Sequence, residues 1–127
     1  YPYAIWKENG TVQLSDSGPN SYIQGLKSPE ICNNEIQSQF FHKVEARTFD
    51  QFDNGDIDCL CLDMEGSEWY VLEKLISRPE IIIIEMEHAS YQNPFFNEII
   101  KWMNYHEYEL QSKEGANFVY RKLNTVV

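Results

Sequence analysis

The sequence predicts an α/β fold whose sheet is mostly parallel and ends in an antiparallel C-terminal hairpin. Residues 57–63 and 81–87 form two short apolar runs, each typical of a buried strand. A stripe of apolar residues at helical spacing follows each run, at 67–77 and at 94–104. This alternation of strand and helix is the order found in parallel βαβ units. Residues 105–112 and 117–122 then predict the closing hairpin.

The N-terminal third predicts a hairpin and a long loop. Residues 3–6 and 11–15 flank Asn9-Gly10, and Asn-Gly between two apolar runs favours a tight hairpin turn. Residues 16–39 show little periodicity and predict a loop with a short helix near 30–36. Alternation over 41–49 predicts a strand, and residues 49–52 predict a helical turn.

A chain of 127 residues is long enough for one domain with its own core. We therefore expect a single domain over residues 1–127. Residues 1–43 would supply the hairpin and the loop, and residues 44–127 would supply the βαβα-hairpin core.

The acidic residues after the first buried strand are the first candidates for chemistry. Asp63, Glu65 and Gly66 lie where strand 57–63 ends, and ligands of open α/β sheets bind at the carboxyl ends of strands. A structural alternative applies to Glu65 and Glu68, because carboxylates near a helix N-terminus offset its dipole. This alternative is favoured for Glu68 and stays open for Asp63. Gly66 is expected to permit the tight turn from strand to helix.

A second acidic group ends the next strand. Glu85, Glu87 and His88 would lie beside Asp63 if the two strands are neighbours. Carboxylates with one histidine raise the possibility of a divalent metal. The spacing matches no strong metal signature, so we predict a solvated acidic rim and no metal site.

Several segments resemble one known family. Residues 58–68 read DCLCLDMEGSE and are followed by Val71-Leu72. This string resembles the signature of the FkbM family of S-adenosylmethionine-dependent methyltransferases, which runs roughly IDLLKIDVEGAE-x-x-VL. Residues 47–50, 78–85 and 118–122 resemble flanking elements of that family in the same order. The resemblance covers most of the chain from about residue 44 onward.

The resemblance implies a Rossmann-like methyltransferase sheet and methyl transfer to an oxygen of a sugar or small-molecule acceptor. It implies S-adenosylmethionine as the cofactor. By position in the motif, Asp63 and Glu65 would be catalytic, and Asp63, Gly66 and Glu85 would contact the cofactor.

The chain departs from the family in its glycines. Family members carry a glycine-rich turn that holds the cofactor, whereas no two of the six glycines here lie close enough to form one. We therefore expect a partial sheet that lacks the cofactor-binding half, and weak or no binding of S-adenosylmethionine to this chain alone. The alternative is a non-catalytic remnant that acts in assembly or binding.

The composition argues against two classes of binding partner. A net charge of −10 argues against nucleic acid and against anionic membrane surfaces. No apolar run approaches the length of a membrane span and no signal-peptide pattern is visible, so we expect a cytoplasmic protein. Cys32, Cys59 and Cys61 are expected to be free, reduced and buried.

The predicted sheet also suggests self-association. Without a neighbour on its outer side, strand 57–63 would present an unpaired apolar edge, and such edges are templates for another chain. We therefore expect a homodimer or a larger oligomer, with a small-molecule acceptor as the other partner.

Overall fold

The computed structural model describes residues 2–26 and 40–124. The helix predicted near 30–36 and Cys32 lie outside these residues. The described part is an α/β fold with short strands and few helices. Its strands are β1 (Ala4–Ile5), β2 (Gly10–Ser15), β3 (Phe41–Arg47), β4 (Cys59–Leu62), β5 (Ile81–Glu85), β6 (Glu87–His88), β7 (Tyr91–Gln92), β8 (Tyr108–Glu114) and β9 (Asn117–Lys122). Its α-helices are α1 (Trp69–Leu72) and α2 (Phe96–Tyr105).

The main sheet has the strand order β4-β5-β9-β8. β4 and β5 are parallel and joined through α1, which confirms the predicted βαβ unit. The C-terminal hairpin is also confirmed, because β8 and β9 pair antiparallel across a turn at Gly115-Ala116. β9 lies between β5 and β8 and runs antiparallel to both.

The expectation of a mostly parallel sheet is wrong, because the sheets are mixed. Only the pairs β1–β3 and β4–β5 are parallel among the described strands. The antiparallel pairs arise because β9 is inserted next to β5, and because β2 and the short ribbon β6–β7 run against their partners.

The N-terminal strands form a separate three-stranded sheet, and the predicted hairpin between them is wrong. β1 and β2 do not pair with each other, because β3 lies between them in the order β1-β3-β2. Ala46 of β3 faces both Ala4 and Gly10, and its side chain is fully buried. The predicted strand over 41–49 is confirmed as β3, and the predicted turn at 49–52 is a 3₁₀ turn.

The helix after β4 is much shorter than predicted. Only Trp69–Leu72 is α-helical, although turns with i→i+3 hydrogen bonds continue as far as Leu75. The backbone N–H groups of Ile76 and Ser77 then donate to the carboxylate of Asp53, at 2.7 and 2.8 Å. The N–H groups that would continue the helix are therefore hydrogen-bonded to the side chain of Asp53 instead of to backbone carbonyls.

The core lies between one face of the main sheet and the two helices. Ile82 and Ile84 of β5 are fully buried there, together with Leu72 of α1 and Ile99 and Met103 of α2. The opposite face of β4 carries Cys59 and Cys61, which are free but exposed, so the prediction that they are buried is wrong. Neither helix in the described ranges is long and apolar enough to cross a membrane.

Asp53 joins the segment before β4 to the segment after α1. Asp53 is 4 % exposed, and its carboxylate also accepts hydrogen bonds from the hydroxyl of Ser77 and the N–H of Gly55. Burial alone would raise the pKa of Asp53, but the hydrogen bonds from Ser77, Gly55 and Ile76 outweigh it, and the pKa lies below the usual 3.8. The buried group is therefore held as an anion.

We expect Asp53→Asn to lower the free energy of unfolding by about 2–4 kcal/mol, because an amide nitrogen would face N–H donors. Because the folded pKa is depressed, the stability that Asp53 contributes is present above pH 3.8 and is lost as pH falls through the folded value. Urea unfolding from pH 7 to pH 3 measures both effects. Asp56→Asn, at an exposed acid in the same loop, is the matched control. Equal stability of the two variants would contradict the role given to Asp53.

Candidate functional site

Two acidic groups meet at one edge of the main sheet. Asp63 directly follows β4 and Glu85 is the last residue of β5. The two strands are parallel neighbours with Leu62 opposite Ile84, so the structure brings the predicted site residues Asp63 and Glu85 together. Asp63 is exposed and Glu85 is half-buried. This edge is the carboxyl end of both strands, where ligands of α/β sheets bind.

A tight turn connects β4 to α1. Glu65 has φ 53° and Gly66 has φ 100°, so two successive residues lie on the left-handed side of the backbone map. The N–H and hydroxyl of Ser67 both donate to the carbonyl of Met64, at 3.3 and 3.0 Å. The expected role of Gly66 in the turn agrees with this geometry, because a residue without Cβ adopts such φ values at little cost.

The side chain of Glu68 holds this turn from inside. Glu68 has 0 % exposure, and its Oε1 accepts hydrogen bonds from the N–H groups of Met64 and Gly66, at 2.7 and 3.4 Å. A buried carboxylate without such donors would cost several kcal/mol. Glu68 has a structural role, but it is not the expected capping of the helix, because its side chain binds the preceding turn and makes no cap contact with the helix.

Asn93 links Glu68 to the end of β5, a contact that no sequence pattern indicates. The amide nitrogen of Asn93 donates to Oε2 of Glu68 at 2.9 Å and to the carbonyl of Glu85 at 3.1 Å. Its Oδ1 accepts the N–H of Phe95 at 2.9 Å, shortly before α2 begins. Asn93 therefore has two roles, one at the start of α2 and one at the acidic turn after β4. Asn93 is only 2 % exposed, which agrees with its contact to the buried Glu68. The sequence around Asn93 does not indicate that its side chain is buried.

Burial and neighbouring negative charges raise the pKa of Glu85 at this edge. Burial is the largest cause for Glu85, and the charges of Asp63, Glu68 and Glu65 follow, so the pKa of Glu85 rises to about 7. Burial also raises the pKa of Glu68, against the opposing effect of its hydrogen bonds. We call Asp63, Glu65, Glu68 and Glu85 the acidic cluster, because the charges of the first three all act on Glu85.

Three carboxylates of the acidic cluster lie close enough together to contact one cation. Asp63, Glu68 and Glu85 each offer an oxygen within 4.8 Å of the others, so one cation could contact all three carboxylates. The two remaining residues of the predicted rim, Glu87 and His88, lie on β6 and pair with Gln92 and Tyr91 of β7. They are not part of this group of three carboxylates. The prediction that the chain has no metal site stays a prediction.

Aromatic side chains lie next to the acidic cluster in the chain. The rings of Trp6 and Tyr70 have their centroids 4.7 Å apart, and those of Tyr70 and Phe95 are 5.1 Å apart. Tyr70 follows Glu68 by two residues, and Phe95 follows Asn93 by two. This row of rings connects the N-terminal sheet to both helices. The sequence shows that the chain is rich in aromatic residues, but it does not indicate which of their rings are in contact.

Comparison with known proteins identifies one family. The family model described as the methyltransferase FkbM domain matches residues 2–110, which is more than four fifths of the chain. No curated protein and no solved structure matches the chain. The match contains the whole acidic cluster together with Asn93.

We expect Gly66→Val to destabilise the chain severely. A β-branched residue at φ 100° is a steric outlier, and strain of this kind costs of the order of 1–3 kcal/mol before any effect of burial. Thermal unfolding measures the loss. Ala89→Val is the matched control, because Ala89 is exposed in a turn and is not among the described residues with positive φ. An unchanged melting temperature for Gly66→Val would mean that this turn does not depend on glycine.

Proposed function

The chain belongs to the FkbM methyltransferase family, and from this premise we propose that it serves S-adenosylmethionine-dependent O-methylation of a sugar or another small-molecule hydroxyl. The observation that carries the proposal is the acidic cluster, which lies within the family match at the carboxyl ends of two parallel strands. We further propose that the main sheet is part of a Rossmann-like methyltransferase sheet, within the single domain expected over residues 1–127.

The donor set of the acidic cluster suits a cationic group. Several carboxylates share one edge, and the pKa of Glu85 is raised to about 7 partly because they repel one another. A bound cation would relieve this repulsion. S-adenosylmethionine, when bound, supplies a methyl group made electrophilic by its positively charged sulfur. Asp63, Gly66 and Glu85 are the residues we propose to hold it.

The positions of the glycines limit how closely the backbone of this chain can approach the cofactor. Gly66 is the one glycine within the acidic turn, and the other five lie in separate segments. The backbone therefore offers no clustered glycines for a close approach to the cofactor. This supports the expectation that S-adenosylmethionine binds weakly or not at all to this chain alone.

Asp63 and Glu65 have the positions that the chemistry of the acceptor requires. Methylation of a hydroxyl leaves a proton that a base must accept. Asp63 is exposed and can meet an acceptor from solvent, whereas Glu65 is half-buried and held by the turn. In the proposal Asp63 accepts the proton and Glu65 helps to orient the hydroxyl. Glu68 has a positioning role, since its carboxylate is occupied by the turn and by Asn93.

A methyl-transfer assay tests this function with a panel of hydroxyl-bearing sugars and phenols and with labelled S-adenosylmethionine in large excess, because the cofactor is expected to bind this chain weakly. We expect Asp63→Asn to lower turnover at least about tenfold without lowering the melting temperature, because its side chain is exposed and its charge repels Glu85. Asp58→Asn, an exposed acid at the opposite end of β4, is the matched control. Transfer that is equally fast in both variants would contradict the role of Asp63. Absence of transfer to every acceptor would favour the second candidate function.

That second candidate is assembly without catalysis, and the position of β4 favours it. β4 is the edge strand of the main sheet, and all four of its residues are uncharged. Its outer side has no strand partner among the described residues. An uncharged edge strand is a template for another strand, and a twofold arrangement is the commonest closed solution. We propose a homodimer, or a larger oligomer, that pairs along Cys59–Leu62.

Light scattering at micromolar concentration tests the assembly. The expected mass is about 30 kDa or more, at least twice the 15.0 kDa of one chain. Cys61→Lys places a charge on the edge strand and should shift the mass to that of one chain. Gln111→Lys, an exposed position on the opposite edge strand β8, should not. A wild-type chain that is monomeric at these concentrations would refute the proposal.

A further inference from the structure

A cleft of about 380 Å³ lies between the N-terminal sheet and the acidic turn. β2 and β3 contribute Leu14 and Val44 to its walls, and Ile23 follows from the segment after β2. Residues 2–5 form another wall. Met64 and Ser67, from the turn that follows β4, complete the cleft. Its volume lies in the range of small-molecule sites, roughly 300–1,000 Å³.

The lining of the cleft is uncharged. No Asp, Glu, Lys or Arg lines it among the residues that the structure describes, although 24 % of the chain is charged. Apart from Tyr3, its side-chain polar groups are the hydroxyls of Ser21 and Ser67. A ligand with a phosphate, carboxylate or ammonium group would lose its hydration there without gaining an opposite charge. The lining therefore selects for neutral ligands with a large apolar surface.

One polar group in the cleft can orient a hydroxyl. The hydroxyl of Ser67 donates its hydrogen to the carbonyl of Met64 at 3.0 Å. A serine oxygen that has donated keeps lone pairs for accepting a hydrogen bond. Ser67 lines the cleft, so its oxygen can accept a hydrogen bond from a ligand hydroxyl.

The cleft is continuous with the acidic cluster along the chain. Met64 lies between Asp63 and Glu65, and Ser67 lies between Gly66 and Glu68. The buried carboxylate of Glu68 fixes this turn through the N–H groups of Met64 and Gly66. A ligand that contacts Met64 and Ser67 therefore lies next in the chain to Asp63, the residue proposed to accept its proton, and to Glu65.

We propose that this cleft binds the methyl acceptor, and that the acceptor is a neutral, largely apolar molecule bearing a hydroxyl. The identification of the ligand as the acceptor rests on the proposed methyltransferase function. The binding of a neutral apolar molecule does not, because it follows from the volume and the lining of the cleft. Phosphorylated and otherwise ionic sugars are excluded as acceptors by the same lining.

Fluorescence titration with N-phenyl-1-naphthylamine, a neutral apolar probe, tests the binding. We expect one saturable site from which 2-naphthol displaces the probe, whereas glucose 6-phosphate and S-adenosylhomocysteine do not. Val44→Glu places a charge in the cleft at a half-buried strand position and should weaken binding at least about tenfold. Val119→Glu, at a half-buried strand position of the main sheet, is the matched control and should bind like the wild type. Thermal unfolding of both variants verifies that they are folded.

Three results would overturn the proposal: no saturable binding, equal binding by the wild type and a folded Val44→Glu, or displacement by either ionic compound. Displacement by S-adenosylhomocysteine would assign the cleft to the cofactor. The proposed function is judged separately from the methyl-transfer assay. If 2-naphthol binds in the cleft but no acceptor is methylated, the ligand class stands and the methyltransferase function fails.

Discussion

The carboxylate of Glu68 is the constraint on which the rest of the site depends. It is fully buried, so its charge is stable only if hydrogen-bond donors surround it. Two backbone N–H groups of the turn and the amide of Asn93 supply them. These contacts hold the turn in which Glu65 has a positive φ, a conformation that residues other than glycine rarely adopt. The turn, the end of β5 and the start of α2 are therefore joined through one side chain.

The same constraint explains how the site acquires its charge. The Glu68 turn places Asp63 and Glu65 at the edge where Glu85 ends β5, so like charges accumulate at a partly buried position. Their repulsion, added to burial, raises the pKa of Glu85 to about 7. Perturbed carboxylates at the carboxyl end of parallel strands mark candidate binding sites, and here they coincide with the family match. The neutral cleft beside them has the opposite character, so the two regions suit different chemical groups.

The sequence predicts the parts of the fold that local pattern determines. The isoleucine run of β5, the alternation of β3 and the glycine turn between β8 and β9 each carry a strong local signal, and each is confirmed. The N-terminal hairpin is wrong because Asn9-Gly10 specifies only a turn, whereas the pairing depends on β3, more than 30 residues away. The length of α1 was overestimated because Asp53, distant in sequence, captures the N–H groups at its end. At the site, the sequence motif locates Asp63 and Gly66, but the link from Glu68 to Asn93 joins residues 25 positions apart and has no local signature.

Beyond burial, the charges of Asp63, Glu68 and Glu65 raise the pKa of Glu85, and the Glu68 turn holds these residues at the same edge of the sheet. A carbon-13 NMR titration of the Glu85 side-chain carboxyl measures this coupling directly. A pKa of about 7 is expected, and it should fall toward the ordinary 4.5 in Asp63→Asn, because one of the repelling charges is then absent. A pKa near 4.5 in the wild type would contradict the account, because it would show that Glu85 is neither buried against these carboxylates nor coupled to them.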